Sequence, residues 1–180
     1  MSRQATWTNG DGLVVGFGTH SVDDTVAAVT SERGPYKTMQ MYIKATELVA
    51  TASVVDGTQP PQAVTIKRGA HIKSAKLSVV VPFATSASGT LTIGTFAAGD
   101  ASTVDDVDGV DATIAVTAID AIGDVVICDG ALVNGVVPLG ATSNSDVVIL
   151  PSYGTGVFTA GEAVLTVEYA EPDYGKTLAA

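Results

Sequence analysis

Residues 64–83 read VTIKRGAHIKSAKLSVVVPF, and their apolar side chains fall on alternate positions. Val64 and Ile66 share one side, with Thr65 and Lys67 on the other. After the turn residues RGAH, Leu77, Val79, Val81 and Phe83 line one face, while Lys76, Ser78 and Val80 take the opposite one. A period of two is the pleat of a β-strand, and a helix would scatter such a stripe around its axis. The alternation returns at Leu91 and Ile93, then in 112–118, 125–128, 146–150 and 163–170. TSASG reads as a hairpin connection between two of these strands, and TAGEA as the turn before the last one. Helix signals are nearly absent, because Gly, Thr, Ser, Val and Asp dominate the chain. Seven or eight short strands separated by Gly, Asp and Asn loops predict an all-β fold. The expected form is an antiparallel β-sandwich, jelly-roll-like in outline.

The first sixty residues keep a different rhythm. TWTNGDGLVVGFGTH holds an Asn-Gly turn and one short strand, and SVDDTVAAVTSERGPYK suits a loop or a single helical turn. Met39, Met41 and Ile43 alternate like a strand, although KATELVATA also suits a short helix. DGTQPPQ reads as a linker, because paired prolines end both helix and ladder. The expected organisation is an extended N-terminal arm or small subdomain over residues 1–58, a sandwich over 59–170, and a C-terminal tail over 171–180.

With 46% apolar and 16% charged residues, the 180-residue chain has the balance of a folded domain. Its net charge of −10 is unevenly spread: residues 1–82 carry a net +2 and residues 83–180 a net −12. Phosphate would be repelled by this balance, so nucleic acid is not an expected partner. The asymmetry suits a subunit with two differently charged sides. The longest uncharged stretch, 77–99, is broken by Pro82 and by Ser, Thr and Gly, so no membrane span is expected. The residues after Met1 are polar and do not read as a secretory leader.

The chemistry-bearing residues form no catalytic pattern. Cys128 is the single cysteine, lies in the apolar run DVVICDG and reads as a core residue. His20 and His71 are the two histidines; neither belongs to a nucleophile motif, and no G-x-S-x-G elbow occurs. Two His and one Cys far apart give no zinc pattern. GFGTHS lacks the third glycine and the βαβ setting of a dinucleotide loop, so no cofactor is expected. The aspartates of VDDVDGVD place Gly109 at the sixth position of an EF-hand loop, but Val104 and Ala115 then fill the first and twelfth, where acids are needed. An irregular Ca²⁺ site over Asp105–Asp111 stays open. The plainer expectation is a solvated acidic loop between strands.

Three segments, VTIKRGAHIKSAKLSVVVPFATSASGTLTIGTF, DVDGVDATIAVTAIDAIGD and PSYGTGVFTAGEAVLTVEY, resemble virion structural proteins of tailed bacteriophages, of the marine or cyanobacterial phage type. The resemblance rests on G-A-x-I before an apolar strand, a Gly/Thr-rich strand with IG, an acidic D-G-x-D-A stretch and the closing T-A-G-E-A. It spans residues 64–169. It implies a non-enzymatic capsid cement or decoration protein on the phage head surface, assembled in the host cytoplasm. The implied partners are the major capsid protein and further copies of itself, most often as a homotrimer. A tail, connector or head-fibre component and a carbohydrate-binding adhesin module are the alternatives. Trp7, Leu13, Val15, Phe17, Met39, Met41 and Tyr42 are the expected partner contacts, since Trp, Tyr and Met are enriched in interface cores. Packing within their own subunit is the competing reading for each.

Overall fold

A computed structural model describes residues 5–8, 14–17, 29–33, 36–55, 65–85 and 88–171. In chain order the elements are β1 (Ala5–Thr8), β2 (Val14–Phe17), β3 (Val29–Arg33), β4 (Tyr36–Lys44), β5 (Val49–Ala50), α1 (Thr51–Val55), β6 (Thr65–Ile66), β7 (His71–Thr85), β8 (Thr90–Ala97), β9 (Asp100–Ala115), β10 (Val125–Ile127), β11 (Val147–Tyr153) and β12 (Phe158–Ala170). Two five-stranded sheets face each other. One has the order β10-β7-β12-β4-β3; the other runs β5-β11-β8-β9, with β6 also on β11. The pairings are antiparallel except β5 with β11. β1 and β2 form a separate antiparallel pair with Trp7 opposite Val15. The all-β sandwich expected from the alternation is the observed fold.

The inward faces explain the pairing. Met39, Met41 and Ile43 of β4 meet Leu77 and Val79 of β7, Leu165 and Val167 of β12, and Leu91, Ile93, Val147 and Ile149 from the other sheet in one buried cluster. Residues 36–44 therefore belong to the sandwich. β4 runs its full length against β12, from Tyr36 opposite Ala170 to Lys44 opposite Glu162. The linker expected at 56–62 lies outside the described residues.

β8 is buried on both faces because the folded-over β9 and α1 together cover its second face. Val54 of α1, Phe96 of β8, and Val148 and Leu150 of β11 make a second, smaller cluster. The Thr51 hydroxyl fixes α1 to β11, lying 2.9 Å from Ser152 Oγ and donating to the Tyr153 carbonyl at 3.2 Å.

Three local expectations change. TSASG joins β7 to β8, which lie in different sheets, so it is a crossover and no hairpin. TAGEA lies inside β12, whose register against β7 shifts at Phe158/Ala160, Ala160/Glu162 and Glu162/Ala163. The extra residues form a bulge in which Gly161 takes φ +138, and the Phe83 ring packs over it. The aspartate stretch is the third: it is strand β9.

Candidate functional site

β9 places sixteen residues against the eight of β8, and the pairing slips at four points. The excess residues fold over the sheet, which lets Val104 and Val107 join the second apolar cluster. They also turn Asp105 inward, where it is 7% exposed. Its carboxylate is filled by donors. Oδ2 accepts the Gly140 N–H at 2.9 Å and the Thr95 hydroxyl at 3.3 Å; Oδ1 accepts the Thr142 and Ser143 N–H groups, each at 3.0 Å. A buried charge is stable in such a setting because several dipoles replace its hydration.

Asp105 thereby holds one end of a long loop. The other contacts are just as local. Gly69 N–H donates to the Leu139 carbonyl and Leu139 N–H to Ala70, each at 2.8 Å. Asp146 accepts Lys67 Nζ at 2.8 Å and the Arg68 N–H at 2.9 Å. The Lys67 ammonium and the Arg68 N–H keep the Asp146 carboxyl below its usual range. At the tip of this fixed loop Val136 is 80% exposed and Val137 lies beside it, also exposed. An apolar pair on a rigid, hydrogen-bonded loop is pre-organised to bind, since little ordering remains to be paid on contact.

A second apolar patch lies at the edge of the β10-β7-β12-β4-β3 sheet. Val125 and Ile127 of β10 are 55% and 70% exposed, with Ile122, Val80 and Val81 also exposed. A groove of about 240 Å³ runs beside them, lined by Ser74, Ala75, Lys76, Ile127, Thr166 and Glu168. The rest of that outward face mixes charged and aromatic side chains: Tyr36 and Tyr42 are exposed, Lys73 pairs with Glu168 at 3.4 Å, and the Lys73 ammonium sits 5.0 Å from the Tyr36 ring centre.

The sequence-based contact residues divide. Met39 and Met41 are 1% and 2% exposed in the protein's own core, so they present no surface to a partner. Their alternation with polar neighbours is that of a core strand. Tyr42 is exposed on the outward sheet face, opposite Val164. Trp7 lies on β1, and Val15 and Phe17 on β2; Leu13 and His20 fall outside the described residues. The sequence reading placed Val125 and Ile127 in a strand without marking them as exposed, and gave Val136 and Val137 no role.

The remaining reactive groups are quiet. Cys128 is buried, and burial together with the Asp111 and Asp129 carboxylates pushes its thiol up to about 12. Burial raises Asp111 above the usual carboxylate range, and burial with the neighbouring Asp108 and Asp105 does the same to Asp106. His71 opens β7 and its buried Nδ1 has no hydrogen-bond partner among the described residues. The described residues hold no group of three or more His, Cys, Asp or Glu placed for a metal, and no helix long and apolar enough to cross a membrane.

No protein-family model matches the chain, and no curated protein does. Among solved structures the chain is similar to one from a cyanophage Pam1 capsid asymmetric unit, at 19% identity and a TM-score of 0.47, over 86% of this chain and 98% of that one.

Proposed function

We infer that the protein is a non-enzymatic structural subunit of a tailed-bacteriophage virion, and that it works as a cement or decoration protein on the head. The observation that carries this reading is the carboxylate-pinned loop with Val136 and Val137 at its tip. A subunit that strengthens a shell needs a stiff apolar contact and no chemistry. The sequence resemblance to virion structural proteins supports the same role. So does the uneven charge: the strands β3, β4 and β7 carry Arg33, Lys37, Lys44, Lys73 and Lys76, and the surface of β9 carries Asp100, Asp106 and Asp108.

In this role the loop seats its valines on the major capsid protein. Binding acts by mass action on the assembled lattice. A site filled at a hundredfold excess over Kd favours the bound state by about 2.7 kcal/mol. Many such sites over one head sum to a large gain in resistance to heat and to internal pressure. A tail or connector component would use the same kind of surface at a different place.

The test is heat release of DNA from heads prepared with and without the protein. Heads lacking it should open at a lower temperature, and adding the purified chain should restore the higher one. Binding to tails and not to heads would overturn the head assignment.

A further inference from the structure

We propose that Asn134 and Gly135 form a self-modifying site: the Gly135 nitrogen closes on the Asn134 side chain, ammonia leaves, and the loop gains a carboxylate beside Val136. The chemistry stands on the chain alone, and its consequence for docking rests on the head reading.

The fold selects the reactive pair. The loop turns between Val133, bridged to Ile72, and Leu139, whose N–H donates to the Ala70 carbonyl at 2.8 Å. It does so through two consecutive residues at positive φ, +88 at Asn134 and +72 at Gly135. Glycine takes that region freely, and asparagine is among the few other residues that tolerate it. A turn with positive φ at both central residues therefore favours Asn-Gly. The same pair sets an amide carbon next to a backbone nitrogen that no Cβ shields. At Gly135 the space a Cβ would fill is open, with the Ile72 carbonyl oxygen 3.7 Å away.

Neither reacting group is engaged. Asn134 is exposed. Among the described residues its side-chain amide makes no hydrogen bond, and neither does the Gly135 N–H. Asn144 is the internal contrast, since it is also exposed and has φ +56. Ser145 follows it and brings a Cβ over the nitrogen. The Asn144 N–H donates to the Gly140 carbonyl at 3.0 Å, and the Ser145 hydroxyl donates to the Ser143 carbonyl at 3.2 Å. The Asp105 carboxylate holds the Thr142 and Ser143 N–H groups just before it. A backbone held in this way has little freedom to bring nitrogen and side-chain carbon together.

The reaction needs only water and base. Base removes the Gly135 N–H proton, and the nitrogen attacks Asn134 Cγ. A C–N bond forms, the Cγ–Nδ2 bond breaks, and the amide nitrogen leaves as ammonia with a proton from solvent. The product is a cyclic imide. Water then adds to either ring carbonyl. Opening the new C–N bond leaves an aspartyl residue at 134. Opening the original backbone C–N bond leaves an isoaspartyl residue, in which the chain runs through Cγ. One water is taken up and one ammonia released, and nothing is oxidised or reduced. Either product is a carboxylate at neutral pH.

The new charge falls where docking is most sensitive to it. Val136 follows directly and is 80% exposed. Seating an apolar tip would strip water from a neighbouring carboxylate, which is costly without a compensating donor. The isoaspartyl form also lengthens the backbone just before Val136 and shifts its side chain. The Asp105 bond to the Gly140 N–H lies beyond Leu139, so the sandwich is left intact. Fresh protein docks, and aged protein docks more weakly.

The test warms the folded full chain in mildly alkaline buffer made with heavy-oxygen water. Peptide mapping by mass spectrometry should find label in aspartyl and isoaspartyl products at 134, formed at least tenfold faster than at 144 and faster still as pH rises. The map also separates Asn9-Gly10, which lies outside the described residues. Asn134→Gln, whose longer side chain closes the ring poorly, should give no product at that position. Aged wild type and fresh Asn134→Asp should each bind heads at least tenfold more weakly than fresh wild type, with unchanged melting temperature. Aged Asn134→Gln should bind as it did when fresh. An unmodified 134 in the folded chain, or equal rates at 134 and 144, would overturn the site. Equal head binding by aged and fresh wild type would overturn its role in docking. Labelled product at 134 in a chain that never binds heads would uphold the site and sink the head reading instead.

Discussion

Replacing Asp105 with alanine should unfasten the loop that ends in Val136 and Val137. The carboxylate accepts three backbone N–H groups and one hydroxyl. The Gly140 N–H is buried and would be stranded, at about 2 kcal/mol. The Thr142 and Ser143 N–H groups are closer to water, which replaces part of the lost bond, so each costs about 1 kcal/mol. The total is about 4 kcal/mol. For a chain of this length that corresponds to a melting temperature lower by roughly 8–16 °C. Asp105→Asn should also destabilise, because its amide nitrogen must face a donor on one side or the other. Calorimetry gives the size of the effect. Amide hydrogen exchange gives its place, since Gly140, Thr142 and Ser143 should lose protection first. Asp108→Asn is the control: that side chain is exposed on the same strand, and its effect should stay within about 0.5 kcal/mol. A melting temperature for Asp105→Ala within about 3 °C of wild type, with the three amides still protected, would refute the reasoning.

Gly161→Ala should cost about 2–3 kcal/mol, because φ +138 is unfavourable for alanine and its Cβ would fall on the Phe83 ring, within 2.8 Å of Phe83 Cα; thermal unfolding measures this. Cys128, with its thiol near 12, should resist a thiol reagent at pH 8 in the folded protein and react at once in denaturant. Asp111→Asn should stabilise the protein at pH 7 and keep the bond from the Thr113 N–H through its amide oxygen. Burial raises the Asp111 carboxyl in the folded state, so the unfolded chain ionises first and folding is penalised above the unfolded value of 3.8. The advantage of the variant should therefore shrink as pH falls toward 4, and urea titrations at pH 7 and pH 4 check the sign.

What the sequence revealed follows the physics of alternation. β4 and β7 were legible because one face of each is buried and the other is wet, so Met39, Met41, Leu77 and Val79 stand out against polar neighbours. β8 was less so, since β9 and α1 cover its second face and remove the contrast. β9 was hidden by its aspartates. A run of acids reads as solvated loop unless donors elsewhere claim one of them, and the N–H groups that claim Asp105 lie 35 to 38 residues away. TAGEA carried turn chemistry that serves a bulge equally well, and TSASG carried a reversal without saying which sheet receives the chain. The edge residues Val125 and Ile127 looked like any apolar strand, because exposure at a sheet edge depends on the neighbour a strand lacks.

The most direct test of the account is binding of the purified full chain to phage heads that lack it, measured by co-sedimentation for the wild type and for Val136→Asp/Val137→Asp. The account expects saturable binding by the wild type and loss of at least tenfold in affinity for the variant, whose melting temperature should match wild type because both side chains are exposed. Equal binding by the two proteins, or no binding by either, would contradict it.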